Sequence, residues 1–383
     1  MVKPTLPILA EPAFSQTHWY RSLLQGIVHE AGRKGLKPHI YLYEKEEHRS
    51  IMESVHHSGR AVLILGSSEM WEESMVEELH EAAIHPILVA AELTNTPFPF
   101  SYVGLNHTQA AAEVTVYLRK AGCTRIAYAG HTDSVTDVLK HKGITRALLA
   151  VGDALQMEDI YWNQGTTSYI DQLVERIDNY DAIICSNDIA AILLMQKLSA
   201  SDLARCYIVG FGDHLVSRLH SPSLTTVTLD YEGAGRKAVD LYLYLTKHEE
   251  VTSSSITVGS RIQIRESTFL RSFEERERST SHRSLPRPQA PSLHSDSRIQ
   301  QLFRLEHVLQ QCDELDAAII RELFHGITYE AMEESLNLSV TAIKYRIKKL
   351  VAELGVQDKT QMLALITQYL GPRAADKLLD LTR

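Results

Sequence analysis

From Leu6 to about Phe269, short apolar runs rich in β-branched residues alternate with longer stretches of helical period. The runs are LPILA (6–10), HIYLY (39–43), AVLIL (61–65), PILVA (86–90), RIAYA (125–129), AIICS (182–186) and YIVGF (207–211). Between them lie segments such as YRSLLQGIVHEAGRKG, MVEELHEAAI, AAEVTVYLRKAG and IAAILLMQKLSA, where apolar positions recur every three or four residues. Strand–helix–strand repetition predicts an α/β fold with right-handed crossovers and parallel sheets covered by helices on both faces. Strands that are apolar almost throughout fit that double burial.

About 260 residues is long for one doubly wound sheet, so the pattern predicts two similar parallel-sheet subdomains with a ligand cleft, together spanning residues 1–270. The break falls near Tyr102–Asn106, giving one lobe over 1–104 and another over 105–228. The chain is expected to cross back near Leu224–Leu229, so that 229–270, with a helix over Gly233–Thr246 and a strand-like ITVGSRIQI, rejoins the first lobe.

The stretch FEERERSTSHRSLPRPQAPSLHSDS (273–297) has almost no large apolar residue and is rich in Ser, Pro and charge, which predicts a flexible linker over 271–298. Arg276, Arg278, Arg283 and Arg287 would suit a basic arm on DNA, but glutamates are interleaved with them. From 299 to 383 the period is helical: IQQLFRLEHVLQQ, DELDAAIIRELFHG, TYEAMEESLNL, SVTAIKYRIKKLVAELG and TQMLALITQYLG predict a small all-α domain. A flexible tether transmits orientation poorly, so the helix over Ile299–Gln311 is the expected coupling or dimer surface.

In the fourth of these segments Ile343, Ile347, Leu350 and Leu354 line one helix face. Thr341, Tyr345, Lys348 and Lys349 fall on the opposite side, flanked by Lys344 and Arg346. Ser339 is the expected N-cap and Gly355 the stop. A short acidic helix, a tight Asn-Leu-Ser turn and a basic helix make an arrangement that can enter the major groove of DNA. Such lysines are more often a plain solvated face. The string GITYEAMEESLNLSVTAIKYRIKKLVAELGVQDKTQMLALI shifts the balance, because it resembles the C-terminal helix-turn-helix DNA-binding domain of the LuxR family. Ser339, Ala342, Ile343, Lys344 and Arg346, then the LGV-x-DKTQ run from Leu354 to Gln361, carry the likeness. Ala342 replaces the usual threonine and Arg346 the usual histidine. The resemblance implies DNA contacts from Ser339, Thr341, Ala342, Lys344, Tyr345, Arg346, Lys348, Lys359 and Thr360. It also implies that the last helix, Gln361–Leu370, pairs two copies.

Upstream, THWYRSLLQGI, AVLILGSSE, YVGLNHTQAAAEVTVYLRKAGCTRIAYAG, AIICSND, YIVGFGD, SPSLTTVTLDYEGAGRKAVDLYL and IQIREST follow in order. This succession resembles the effector-binding core of the lactose/galactose repressor (LacI/GalR) family, which is akin to periplasmic sugar-binding proteins. The stretch before Leu6 is too short for that family's own N-terminal DNA-binding helices, so the duty is expected of the C-terminal helices. The resemblance implies a small-molecule cleft at the carboxyl ends of the strands, and nominates residues one by one. Trp19 and Tyr20 would stack on a ring, with Trp162 as a second wall. Lys140 stands where that family commonly has an arginine, and lysine cannot form the same bidentate fork. Asn187, Asp188 and Asp213 follow the strand runs as further ligand contacts. Each has a structural alternative: Trp19 and Tyr20 as packing, Asp188 as a helix cap, Lys140 as a surface lysine, Ser67 and Ser68 as a loop and cap.

Bulk properties narrow the reading. A net charge of −9 and a pI near 6.1 confine any nucleic-acid contact to a local patch. Cys123, Cys185, Cys206 and Cys312 form no CxxC pair and read as buried small hydrophobes. The 18 histidines, including His18 and the pair His56–His57, show no metal-ligand spacing, so neither metal nor cofactor is expected. No GxSxG, HExxH, Walker or GxGxxG pattern occurs, and Glu46/Glu47 and Glu274/Glu275 lie in solvated stretches, so no catalysis is expected. MVKPTLPILAEPAF is no signal peptide and no run reaches the roughly 20 apolar residues of a membrane span, which points to a cytoplasmic protein. The sequence thus predicts a ligand-responsive transcriptional regulator binding double-stranded DNA as a homodimer, with a sugar or related polar metabolite as effector. The rival reading is a sugar-sensing adaptor whose C-terminal helices bind protein.

Overall fold

The computed structural model describes residues 4–15, 17–43, 55, 59–66, 68–90, 96–131, 134–162, 166–268, 297–371 and 373–378. The expected linker, apart from Ser297 and Arg298, lies outside these residues, as do Glu46/Glu47, Glu274/Glu275, His56–His57 and Ser67. The chain forms two compact units: Met1–Ala110 with Leu229–Arg261, and Ala111–Thr228 with Ile262–Arg383. Each is built on a parallel α/β sheet, and the second also carries the C-terminal helices.

Unit 1 holds a six-stranded sheet of order β11-β5-β4-β3-β1-β2. Its strands are β1 (Thr5–Ala10), β2 (Lys37–Leu42), β3 (Ala61–Leu65), β4 (His85–Val89), β5 (Ser101–Leu105) and β11 (Ser255–Val258), all in parallel pairs. β3 is buried throughout and β1 from Leu6 onward, the reason their apolar runs are unbroken. Helices α1 (His18–Arg33), α2 (Glu69–Glu81) and α9 (Tyr231–Leu245) belong to this unit. α1 and α9 touch backbone to backbone. A Cβ on Gly26 would lie 2.1 Å from the Glu232 carbonyl oxygen, and one on Gly235 would lie 2.1 Å from that of Leu23.

Unit 2 repeats the design with order β12-β10-β9-β8-β6-β7. These strands are β6 (Ile126–Gly130), β7 (Ile160–Trp162), β8 (Ala182–Cys185), β9 (Tyr207–Phe211), β10 (Thr225–Leu229) and β12 (Ser260–Gln263). Its helices are α3 (His107–Lys120), α4 (Val135–Leu149), α5 (Thr166–Glu175), α6 (Asp188–Met195), α7 (Ala200–Arg205) and α8 (Leu215–Leu219). The single strand-like ITVGSRIQI is in fact two strands, β11 in one sheet and β12 in the other. β10 escaped the periodicity because its first residues are threonines. They are nevertheless fully buried, and the Thr225 hydroxyl bonds to the Thr268 hydroxyl at 2.6 Å.

SPSLTTV and REST prove to be halves of one hydrogen-bonded seam. Ser223 N–H donates to Glu266 Oε2 at 2.7 Å, Thr225 N–H to Ser267 Oγ at 2.8 Å, and Arg265 N–H to Thr225 Oγ1 at 2.7 Å. Their pairing in the sequence records a structural requirement, since buried polar groups need partners.

The C-terminal segment forms α10 (Ser297–Gln311), α11 (Glu314–Phe324), α12 (Tyr329–Leu336), α13 (Val340–Leu354), α14 (Lys359–Leu370) and a short α15 (Ala374–Lys377). These helices do not have a separate core. One apolar cluster runs from Ile170, Leu193 and Leu219 of the α/β layer to Ile299, Leu302, Ile347 and Leu370 of the helices. Among the described residues no helix is long and apolar enough to cross a membrane.

Adding a methyl group at the α1–α9 crossing would push the two backbones apart. Gly26→Ala is therefore expected to lower the unfolding free energy by about 1–3 kcal/mol in urea titrations, whereas Gly32→Ala, which meets nothing within 4 Å, leaves it unchanged or raised.

Candidate functional site

In unit 2 the carboxyl ends of the strands gather several of the nominated residues. β6 runs into His131, β7 ends at Trp162, β8 leads to Ser186 and Asn187, and β9 ends at Phe211. α4 is capped by Ser134, whose hydroxyl accepts from the Asp137 N–H. That places Asp137, Lys140 and His141 on successive turns beside the strand ends. Lys140 is only 5% exposed. Its Nζ donates to Asp137 Oδ1 at 2.8 Å and to the Ser186 carbonyl at 2.7 Å, and lies 5.1 Å from the centre of the Phe211 ring. Asp137 Oδ2 accepts the His131 N–H at 3.0 Å. Lys140 is thus neither a surface lysine nor a free ligand arm; it is a brace tying α4 to the end of β8.

Trp162, nominated as a ligand wall, is half-buried at the end of β7. It meets Tyr128 edge-on at 5.6 Å and His141 at 5.3 Å. Burial lowers the His141 pKa, favouring the neutral ring, and raises that of Tyr128 well above its usual range, with the Asp137 charge adding to the effect. Neutral rings around an indole suit stacking against the apolar face of a polar ring. Tyr128 and His141 escaped the sequence reading, which treated the first as strand core and the second as one of many scattered histidines.

Asn187 caps α6, its Oδ1 accepting from Ala190 N–H at 2.9 Å, while Nδ2 reaches Ser186 Oγ at 3.2 Å. Asp188 corrects the expectation of a ligand contact. It is fully buried, and its carboxylate accepts from His214 N–H at 2.8 Å, Ser217 Oγ at 2.7 Å and the Thr226 hydroxyl. Burial raises its pKa, opposed by His214 and these donors. A carboxylate with no exposed surface meets no ligand directly. Asp213 is similarly engaged, with the Arg265 guanidinium on one oxygen and Arg218 (3.1 Å) and Thr228 Oγ1 (3.0 Å) on the other. Its φ of 53°, after Gly212 at 130°, turns the chain into α8.

In unit 1, Tyr20 is core at 4% exposure, while Trp19 is half-buried. Trp19 meets Tyr20 edge-on at 6.1 Å and Tyr231, the first residue of α9, at 6.4 Å. The same unit holds two buried glutamates at the strand ends that sequence reading passed over. Glu11 follows β1 and accepts from the Ser68 hydroxyl and its N–H, which follow β3. Glu72, on the first turn of α2, is 4% exposed, and its Oε1 has no hydrogen-bond partner. Burial, then the charges of Glu11 and Glu69, push its carboxyl up to about 8.

The C-terminal helices form the second candidate site. α12 is followed by its C-cap Asn337, whose φ of 51° makes the sharp turn, and Ser339 caps α13 through the Ala342 N–H. Ile343, Ile347, Leu350 and Leu354 are buried; Ser339, Thr341, Lys344, Tyr345, Lys348 and Lys349 are exposed, with Tyr345 at 70%. Ala342 is half-buried, and Lys359 and Thr360 are exposed at the start of α14. The Lys344 and Lys359 ammonium groups lie 5.5 Å and 4.7 Å from the Tyr329 ring centre, gathering two cations on one side. Arg346 departs from the expected DNA contact. It donates to Asp313 at 2.9 Å and Asp316 at 2.7 Å and braces α13 against the start of α11; the hydrogen bond it gives to Asp316 leads in holding it protonated. The apolar face of α14 is also committed within the chain: Met362, Leu365, Ile366, Tyr369 and Leu370 are buried, leaving Gln361, Ala364 and Thr367 exposed.

Comparison with known proteins places the α/β part. The profile of the periplasmic binding protein-like domain matches residues 115–268. The chain is 28% identical over 207 residues to Catabolite control protein A of Priestia megaterium, a match covering 51% of this chain and 61% of that one, somewhat under two thirds of the relative. It is 22% identical over 271 residues to the HTH-type transcriptional regulator GntR of Pseudomonas aeruginosa (69% of this chain, 77% of that one), and 24% identical over 249 residues to the HTH-type transcriptional regulator GalR of Escherichia coli (63% and 71%). Among solved structures, the transcriptional regulator CelR-cellobiose complex superposes with a TM-score of 0.59 at 21% identity (69% of this chain, 84% of that one). A LacI regulator from Bacillus cereus subsp. cytotoxis gives 0.58 at 22% (72% and 100%). The fold is therefore that of the periplasmic binding protein-like domain, as found in LacI-type regulators, extended by a helical region.

Glu72 sets a pH dependence. Its folded carboxyl binds a proton more tightly than the unfolded one, so this group removes stability as pH rises from its ordinary 4.5 towards 8. Glu72→Gln is expected to melt a few degrees higher than the parent at pH 8.5 and within a degree of it at pH 5, read by calorimetry, a difference of about 2 kcal/mol.

Proposed function

We propose that this chain is a ligand-responsive DNA-binding regulator of transcription, in which the α/β part senses a small polar metabolite and the α12–α13 pair reads a duplex. The observation that carries the reading is the division of α13. One face is buried against its neighbours, while Lys344, Tyr345, Lys348 and Lys349 stand exposed on a chain of net charge −9. An acidic protein has little general attraction for nucleic acid, so a cationic helix following a tight turn marks a local docking face. The likeness of the helical segment to the LuxR family supports the same assignment.

The effector is a sugar or a related polar ring compound. Trp162, flanked by neutral His141 and Tyr128, supplies a face for stacking, and half-buried Asn187, at the carboxyl end of β8 two strands away, supplies a polar group. The relatives' names, among them a regulator solved with cellobiose, support that class. Trp19 with Tyr231 is a second aromatic surface for the same purpose. Regulation follows if the ligand binds one arrangement of the protein better than another. The working form is a homodimer in the cytoplasm, and its contact is not the apolar face of α14, which is already buried.

Lys344 and Lys348 are the expected phosphate contacts. Replacing both by alanine is expected to weaken binding of the full-length chain to short duplexes by at least about tenfold and to lower the salt slope by about two, read by fluorescence anisotropy across a salt series. A double variant that binds like the parent would return the helices to a protein-binding role. In a thermal-shift panel of sugars, sugar phosphates, nucleosides and amino acids, a sugar is expected to raise the melting temperature. Trp162→Ala should abolish that shift without changing the unliganded melt by more than a few degrees.

A further inference from the structure

Helix α8 is five residues long, too short to stand alone, because nucleation outweighs what a single turn returns. It is held at both ends by charges from the C-terminal helices. Glu306 of α10 is 3% exposed. Its Oε1 accepts the Leu215 N–H and its Oε2 the Val216 N–H, both at 2.8 Å, and Gln310 one turn later donates to Oε1 at 2.8 Å. At the other end, Lys377 Nζ donates to the carbonyl of His220, the C-cap residue, at 2.6 Å. An anion at the N-terminus and a cation at the C-terminus both match the helix dipole.

The same short helix is fastened to the strand ends of the α/β layer. Asp188, beside the end of β8, holds His214 N–H and Ser217 Oγ. Asp213, two residues before α8 and two after β9, is held by Arg265 and Arg218. Phe211, the last residue of β9, lies against the Lys140 ammonium. Apolar contacts continue across the junction, with Val216 and Leu219 in one cluster with Leu302 and Leu305.

We propose that α8 is the element that couples the strand ends of unit 2 to the DNA-facing helices, with Glu306 and Lys377 as its two grips. This rests on α13 being a duplex reader. Any rearrangement at the ends of β8 and β9 that displaces α8 must carry α10 with it, or strip a buried carboxylate of its two amide donors. Leaving such a charge unsatisfied is costlier than moving the helix. The two modules therefore respond together, although the chain between them passes through the long polar segment ahead of Ser297. Coupling is reciprocal: a duplex bound at α13 biases α8 as surely as a change at α8 biases α13.

Hydrogen–deuterium exchange on the full-length chain, with and without a short random-sequence duplex in dilute buffer, tests this. In the parent, the duplex is expected to slow exchange over 340–354 and to change it by about threefold or more over 213–220. In Glu306→Gln the amides of Leu215 and Val216 should exchange at least about tenfold faster, and the duplex should still protect 340–354 without altering 213–220. Lys377→Met, which leaves the N-terminal grip intact, should give a partial loss of the same response, and serves should Glu306→Gln fold poorly. A parent in which 340–354 is protected while 213–220 is unmoved overturns the coupling. So does a Glu306→Gln or Lys377→Met protein that responds like the parent. A parent in which 340–354 gains no protection overturns the DNA-binding reading instead.

Discussion

A carboxylate buried away from water must be met by hydrogen-bond donors or give up its charge. Three such groups converge on residues 212–220: Asp188 at 0% exposure, Asp213 at 9% and Glu306 at 3%. Their donors are backbone amides at the start of α8, the hydroxyls of Ser217, Thr226 and Thr228, and the guanidinium groups of Arg218 and Arg265. The result is a rigid corner where strand ends, a single helical turn and the C-terminal helices share one polar network over one continuous apolar cluster. Networks of this kind admit few alternative arrangements, because partial satisfaction is worse than either full satisfaction or an apolar replacement.

Charge alone does not reveal what a side chain does here. Lys140 and Arg346 look, in the sequence, like the lysines and arginines around them. Lys140 joins a buried pair with Asp137 and leans on Phe211, and Arg346 closes on Asp313 and Asp316. Lys348, by contrast, is exposed and makes no ion pair among the described residues. The paired cations fix the positions of helices, whereas Lys348 faces solvent. In the same way Asp188 and Glu72 are both buried acids, but only Asp188 is surrounded by donors. Glu72 keeps an unpartnered oxygen, and burial, then the charges of Glu11 and Glu69, hold its proton well above the usual carboxylate range.

In the second unit a single helical turn joins the strand ends to the C-terminal helices. A periplasmic binding protein-like sheet presents loops at the carboxyl ends of its strands, where small molecules are held in that fold. Here one of those loops continues into α8, and α8 is clamped by helices belonging to the C-terminal region. The sequence suggested a tether too slack to pass orientation from one module to the other. The contacts instead bypass the tether and run through side chains far apart in the sequence: Glu306 lies some 90 residues from the amides it holds, and Lys377 some 157 from the carbonyl it meets.

Local pattern was enough to establish the α/β class, the apolar strands, the helical C-terminus, the turn at Asn337 and the two-faced α13, because each follows from side-chain period and a few residues with special backbone preferences. β5, β10 and β7 were lost to the same method, the first because the break between lobes was placed on it, the second because buried threonines look polar, the third because three residues carry no period. Residue roles were the least legible part. Whether Asp188 meets a ligand or a backbone amide, whether Arg346 meets DNA or Asp316, and whether α14 keeps an apolar face for a partner depend on groups tens to hundreds of residues away. Only the folded chain decides them, since burial and hydrogen-bond satisfaction are properties of packed neighbours and not of sequence neighbours.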